Sequence, residues 1–142
     1  MIERPLALAA WDNRPEIVQV LLESGGMGAN GKSYGGFHGA IKYKLFKAVR
    51  RFLVKGCDVN EEYLKVTPLG ASVTCGKRKS GDVRIVKLLL DAKADIFGLT
   101  KMCSSPYYGG KLTHVLDVAR TYSNNRCRDL IEFAYNSASK QQ

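Results

Sequence analysis

The sequence predicts an all-α fold made of four stacked helix–turn–helix units. Three observations carry this prediction: an apolar helix pattern that recurs four times, a second pattern of small residues before each copy, and connections containing glycine and asparagine. The chain has 142 residues, of which 45% are hydrophobic and 25% are charged. This length and composition are typical of one globular domain, so we expect a single domain over residues 1–142.

The first recurring pattern is a short amphipathic helix. It is clearest in residues 16–25, where apolar residues at i, i+1, i+4 and i+5 mark one helix face and Gly25 ends the helix. The copies follow one another at intervals of 31, 37 and 42 residues. Their equivalent apolar positions are Ile17, Ala48, Ile85 and Cys127. Such units cannot bury their apolar faces alone, so they need neighbouring units stacked against them.

The second pattern precedes each copy and predicts the first helix of the unit. It is clearest in residues 4–10 and 67–73, where a proline in the first turn is followed by small residues. Weaker versions occupy residues 36–41 and 114–120. The predicted units span residues 4–33, 34–66, 67–113 and 114–136, and a frayed polar tail is expected over residues 137–142.

These patterns resemble the ankyrin repeat, whose first helix reads T-P-L-H-x-A at a period of 33 residues. Thr67-Pro68-Leu69 and Gly56-Cys57-Asp58-Val59-Asn60 carry the resemblance, which covers about residues 4–136. Two departures are that Gly70 stands where the family has histidine and that the second unit lacks Thr-Pro. The resemblance implies an ankyrin-like solenoid with connecting finger loops, which binds a protein partner through its concave face and fingers.

The same resemblance implies where partner contacts lie. After the small-residue pattern come Trp11, Asp12, Lys42, Tyr43, Thr74 and Tyr122, and the fingers carry Tyr34, Tyr63, Phe97, Tyr107 and Tyr108. Trp and Tyr are enriched at interface hot spots because they bury a large area with few rotatable bonds. Two alternatives stay open: Trp11 only covers the first unit, and the aromatic residues of the 96–113 connection fold back on the last unit.

Positive charge is concentrated in two places. The chain has 22 Lys and Arg residues against 13 Asp and Glu, a formal net charge of +9. The basic clusters are Lys47, Arg50, Arg51 and Lys55 in the second unit, and Lys77, Arg78 and Lys79 in the third. Lys47, Arg51 and Lys55 recur every four residues and form one helical stripe. Besides a plain solvated face, this charge favours an acidic protein partner, with nucleic acid or an anionic surface as the alternative.

Residues 26–33 match the phosphate-loop pattern G-x-x-x-x-G-K-[ST]. That loop needs a buried strand before it and a helix after it, whereas residues 16–22 have helical periodicity. We interpret the match as a glycine-rich finger, with nucleotide binding at residues 26–33 as the less favoured alternative.

The sequence predicts no catalytic, metal or cofactor site. Its cysteines form no C-x-x-C pair, and His38 and His114 lie outside metal-ligand spacing of any of them. The cysteines are Cys57, Cys75, Cys103 and Cys127, which we expect to pack as small apolar residues. The apolar runs of the sequence are only a few residues long, so we expect neither a membrane span nor the apolar region of a signal peptide. We therefore expect a binding protein of the cytoplasm, with the nucleus as the alternative location.

Overall fold

The structure is a computed structural model that describes residues 3–25, 32–33, 35–74, 81–101 and 112–141. This part of the chain is mostly helical, which confirms the predicted all-α class. Its helices are α1 (Glu3–Trp11), α2 (Pro15–Glu23), α3 (Gly36–Lys42), α4 (Phe46–Val54), α5 (Pro68–Thr74), α6 (Val83–Asp91), α7 (Val115–Tyr122) and α8 (Asn125–Ser139). None of these described helices combines the length and apolar content needed to cross a bilayer.

The helices lie in two layers. In one layer α1 packs on α3, α3 on α5 and α5 on α7, and in the other α2 packs on α4, α4 on α6 and α6 on α8. Each odd-numbered helix also packs on the even-numbered helix that follows it. Apolar side chains from both layers fill the space between them, as where the Phe37 and Phe52 ring centroids approach to 5.6 Å. The described helices thus follow the predicted order of four helix–turn–helix pairs.

Residues in the left-handed backbone conformation follow three of the even-numbered helices at equivalent places. Gly25, Gly56 and Lys93 follow α2, α4 and α6 with φ angles of 79°, 90° and 69°. After Gly56 and Lys93 the next residue donates back across the last turn, as where Ala94 N donates to the carbonyl of Leu89 at 3.0 Å. Glycine adopts this conformation freely, whereas a lysine costs about 1 kcal/mol there.

The central helices α3 and α5 are buried on nearly every side. A Cβ added at Gly39 would lie 3.1 Å from the Ala10 Cβ and from the Trp11 Cδ1 atom. A Cβ added at Gly70 would lie 2.8 Å from both Cβ and Cγ2 of Thr100. Small residues therefore recur in the first helix of each pair because the neighbouring backbone and side chains leave no room.

The connection after α6 contains a short sheet that the sequence did not predict. Strand β1 (Leu99–Thr100) pairs antiparallel with β2 (Thr113–His114), with Leu99 opposite His114 and Thr100 opposite Thr113. Thr100 is fully buried, and its hydroxyl accepts a hydrogen bond from Thr67 N at 3.1 Å and donates one to the Lys101 carbonyl at 2.9 Å. The sheet thereby joins this connection to the start of α5.

The C-terminal segment differs from the prediction. The sequence predicts that the last unit ends at residue 136 and that residues 137–142 are frayed, whereas α8 continues to Ser139. The helix is longer because Ala134, Tyr135 and Ala138 pack against the core along one of its faces. Residues 137–139 therefore belong to the last helix, and this part of the predicted tail was wrong.

Candidate partner-binding surface

Four predicted contact residues meet where α1, α3 and the connection after α4 come together. Lys42 Nζ lies 5.1 Å from the centroid of the Trp11 ring and 5.5 Å from that of the Tyr43 ring. The Trp11 and Tyr63 ring centroids are 6.2 Å apart. Lys42 and Tyr43 are exposed, while Trp11 and Tyr63 are half-buried. We call Trp11, Lys42, Tyr43 and Tyr63 the aromatic–lysine surface.

Polar contacts on the interior side of the aromatic–lysine surface hold its side chains in place. The Trp11 indole N–H donates to the carbonyl of Gly35 at 2.9 Å, which sets the orientation of the ring. The His38 ring lies 5.7 Å from the Tyr63 ring, and its Nε2 lies 2.7 Å from the Val66 carbonyl. Burial lowers the pKa of His38, so the ring is neutral at neutral pH and donates its proton through Nε2. These contacts tie α3 to the connection that carries Tyr63.

Glu61 anchors the same connection from inside. Its carboxylate accepts hydrogen bonds from the Ser33 hydroxyl at 2.7 Å and from Ser33 N at 2.9 Å. The Cys57 thiol lies 3.8 Å from the same carboxylate, and its pKa is raised by burial and then by the charge of Glu61. Both Ser33 and Glu61 are buried. The connection after α4 is therefore held at two points, by Glu61 and through His38.

Trp11 does more than cover the first helix pair. Its ring is only partly buried, and it contributes to a surface shared by three segments of the chain. Asp12 follows it directly and is exposed, as the prediction requires. The structure thus brings together four of the predicted residues of the first two pairs: Trp11, Lys42, Tyr43 and Tyr63.

Two predicted contact residues pack into or against the core. Thr74 is buried at the end of α5, and its hydroxyl donates to the Gly70 carbonyl at 2.7 Å. We therefore correct the prediction that Thr74 contacts a partner. Phe97 is half-buried and packs on Tyr135 of α8, with ring centroids 5.1 Å apart. This packing removes part of its apolar area from water and agrees with the fold-back alternative that the sequence left open.

Several predicted residues lie outside the described part of the chain, and these stay predictions. They are Tyr34, Tyr107, Tyr108, Lys77, Arg78 and Lys79, together with Cys75, Cys103 and the side chain of Tyr122.

A helix, α3, follows residues 26–33 as a phosphate loop requires, but the segment before them does not provide its context. Residues 26–31 lie outside the described ranges, but helix α2 precedes them where a strand is needed, as we expected. Ser33, which would hold the metal ion of a nucleotide, instead bonds to the buried carboxylate of Glu61. A negative group at that point would repel a phosphate. The geometry therefore disfavours nucleotide binding there.

The predicted basic residues of the second unit are exposed on or directly after α4. They are Lys47, Arg50, Arg51 and Lys55. One guanidinium nitrogen of Arg51 lies 3.5 Å from a carboxylate oxygen of Glu23 in α2. This exposed pair is worth little energetically, so the stripe remains a positively charged surface.

A further group of cations was missed. Lys44, Arg84 and Arg126 are exposed beside the N-terminal ends of α4, α6 and α8. A sequence signal exists for Arg84 and Arg126, because they, like the predicted Lys47, directly precede one of the equivalent apolar positions of the repeated helix.

The described residues contain no group of three or more His, Cys, Asp or Glu side chains arranged to hold a metal ion. Cys57 and Cys127 are buried free thiols, and burial raises the pKa of both. These two cysteines therefore pack as the sequence predicted. Comparisons of the sequence with known protein families and with curated proteins found no match.

Proposed function

We propose that the chain is a stack of four ankyrin-type repeats that binds an acidic protein segment through the aromatic–lysine surface. The two-layer order of the helix pairs and the repeated left-handed helix ends support the fold part of this proposal. The proposed role is binding, with no catalytic step. The observation that carries it is the position of Lys42 over two aromatic rings at an exposed site.

The chemistry of this surface suits a partner that carries both carboxylates and apolar atoms. The Lys42 ammonium lies close enough to both rings for cation–π attraction, which holds it in place at about 0.5–1 kcal/mol for an exposed pair. A partner carboxylate can pair with this ammonium while neighbouring apolar atoms cover Tyr43 and Trp11. Such aromatic anchors surrounded by polar groups are typical of interface hot spots.

The surface is also organised before any partner arrives. The hydrogen bond from Trp11 to Gly35 and the packing of His38 on Tyr63 hold two of the rings in their positions. Binding then loses less side-chain freedom than it would on a flexible loop. The net charge of +9 adds long-range attraction for an acidic partner and speeds its association.

The experiment is an affinity capture from lysate of the source cells, followed by measurement with the purified partner. The test variant is Lys42→Ala/Tyr43→Ala, since both side chains are exposed and neither is part of the core. Its matched control is Phe133→Ala/Lys140→Ala, which removes an exposed aromatic ring and an exposed lysine from the region of α8.

We expect a protein that is retained by the wild type and the control and lost from the test variant. With the purified partner, the test variant should bind more than about 30-fold more weakly, which corresponds to a loss of about 2 kcal/mol at a hot spot. If every captured protein binds the folded test variant as well as the wild type, the placement of the site on this surface is wrong.

A further inference from the structure

A groove lined by positive side chains lies where α4, α6 and α8 begin. Its volume is about 340 Å³, and its lining residues come from three successive helix pairs. They are Lys44, Gly81, Asp82, Val83, Arg84, Asn124 and Arg126. At the groove, Asn124 Nδ2 donates to the Gly81 carbonyl at 3.1 Å and joins the segments just before α6 and α8.

The charge of this groove is almost entirely positive. Its one acidic residue is Asp82, whose carboxylate accepts hydrogen bonds from Arg84 N at 2.9 Å and from the Arg84 guanidinium at 3.0 and 3.2 Å. Burial acts to raise the pKa of Asp82, but these bonds outweigh it and lower the pKa. Within the described chain, Lys44 and Arg126 form no ion pair. Lys44 and Arg126 can therefore both contact a negatively charged ligand in the groove.

The positive charge continues from the groove along a row of equivalent positions. Lys47, Arg84 and Arg126 each occupy the second residue of their helix, and all three are exposed. The Arg84 guanidinium lies 4.7 Å from the ring centroid of Phe46, the first residue of α4, which brings the starts of two helices together. Neighbouring helices in a layer lie about 8–10 Å apart, so the row extends over about 20 Å. We call Lys44, Lys47, Arg84 and Arg126 the cation row.

Arg84 pairs with Asp82, the N-cap of α6, but the positions of Lys47 and Arg126 do not stabilise their helices. The partial positive charge at a helix N-terminus favours acidic side chains in the first turn and disfavours basic ones. The first turns of α4, α6 and α8 contain no acidic residue, whereas the first turn of α2, outside the row, contains Glu16. The three helices with cations are those that meet at the groove.

The surroundings of the cation row suit phosphate groups better than a protein partner. The exposed large apolar residues nearest along α4 and α8 are Val54 and Phe133, each seven residues after Lys47 and Arg126. A protein interface needs such apolar anchors, whereas nucleic-acid interfaces are more polar and far more positive. Among the described residues next to the groove, Phe46 is half-buried under Arg84, and the exposed Tyr43 ring before Lys44 belongs to the aromatic–lysine surface. The residues that line the groove itself therefore offer charges and not an aromatic face for stacking an unpaired base.

We propose that the cation row binds the phosphate backbone of a nucleic-acid duplex without reading its sequence. Lys44 and Arg126 contact phosphates in the groove, and Lys47 extends the contact along the duplex. Arg84 neutralises Asp82, so that this carboxylate does not repel the backbone. The proposal is independent of the aromatic–lysine surface and of any protein partner that binds there.

The test measures binding of the purified protein to a fluorescent 24-base-pair DNA duplex of mixed sequence at several salt concentrations. The row variant is Lys44→Ala/Lys47→Ala/Arg126→Ala, which leaves the Arg84–Asp82 pair intact. The matched control is Lys65→Ala/Lys93→Ala/Lys140→Ala, which removes the same charge from exposed positions elsewhere. Tyr43→Ala serves as a second control that alters the aromatic–lysine surface alone.

We expect the row variant to bind the duplex at least about tenfold more weakly, and both controls to bind within threefold of the wild type. Each lost phosphate contact should also make the plot of log affinity against log salt shallower by about 0.9, or about 2.7 for three. The melting temperature of the row variant should equal or exceed that of the wild type, because removing cations from helix N-termini relieves an unfavourable interaction.

Four results would overturn the proposal. The first is a wild type that fails to bind the duplex at low salt, and the second is a control triple variant that loses as much affinity as the row variant. The third is a row variant that melts well below the wild type, which would make these cations structural. The fourth is that polyglutamate or vesicles containing phosphatidylserine bind as tightly as the duplex and with the same dependence on the row, which would identify a different ligand.

Discussion

Replacing Gly70 by alanine tests the contact between α5 and the sheet that follows α6. The new Cβ would overlap the Thr100 hydroxyl and would lie 2.8 Å from Cβ and Cγ2 of that residue. Rotation of the Thr100 side chain cannot relieve the overlap, because the Thr100 Cβ does not move with χ1. Either α5 or β1 must therefore shift. We expect a cost of about 3 kcal/mol, the upper end of the usual range for an overpacked core. Alanine recovers about 1 kcal/mol of helix propensity, so we expect a net loss of about 2 kcal/mol.

The assay is urea unfolding followed by circular dichroism, with Thr100→Gly as the second arm of a double-mutant cycle. Thr100→Gly removes all three clashing atoms together with the acceptor for Thr67 N, so it lowers stability by itself. In that background, Gly70→Ala should be neutral or should stabilise by up to about 1 kcal/mol. Equal effects of Gly70→Ala in both backgrounds, or no effect in the wild type, would refute this account of the glycine.

Two further predictions concern His38 and Asn124, whose side chains bond to the connections between helices. Burial lowers the pKa of His38 in the folded protein below its value in the unfolded chain. As the pH falls, His38 is therefore protonated in the unfolded chain at a higher pH than in the folded protein. The free energy of unfolding should decrease below about pH 6.5. His38→Gln should make this decrease smaller in urea titrations at pH 5 to 8, and an unchanged pH dependence would contradict it. Asn124 accepts from Cys127 N at 2.9 Å and donates to the Gly81 carbonyl. Asn124→Ala should therefore cost about 1–2 kcal/mol of stability, and Asn124→Asp should restore the cap but not the bond to Gly81, as equilibrium unfolding of all three proteins would show.

The helices could be predicted because their signals are local. Apolar spacing and helix-ending residues such as Gly56 act within one or two turns, and they placed the second helix of each pair. Burial at the equivalent positions was less predictable. Ala48, Ile85 and Cys127 are buried, whereas Ile17 is 48% exposed. No even-numbered helix precedes α2 among the described helices, whereas α4, α6 and α8 each pack on the one before them, and position within a layer is not encoded in a periodic pattern.

The contacts that shape the surfaces were not predictable, since each joins residues far apart in the chain. Thr100 fills the space above Gly70, Phe97 packs on Tyr135, and Glu61 binds Ser33. A glycine at position 70 signals that something approaches closely, but the sequence does not say what. An aromatic residue in a long connection is likewise equally compatible with a partner contact and with packing on the last helix.

The two proposed surfaces meet at the turn between α3 and α4. Lys42 and Tyr43 belong to the aromatic–lysine surface, while Lys44, the next residue, lines the groove. Both surfaces attract negative ligands, and charges within about 10 Å of each other are only partly screened at 0.1 M salt. An acidic segment on Lys42 would therefore repel phosphates held by Lys44, and each ligand would weaken the other by the same factor. If both proposals hold, the chain selects between a protein and a nucleic acid at low salt, and the selection weakens as salt screens the repulsion.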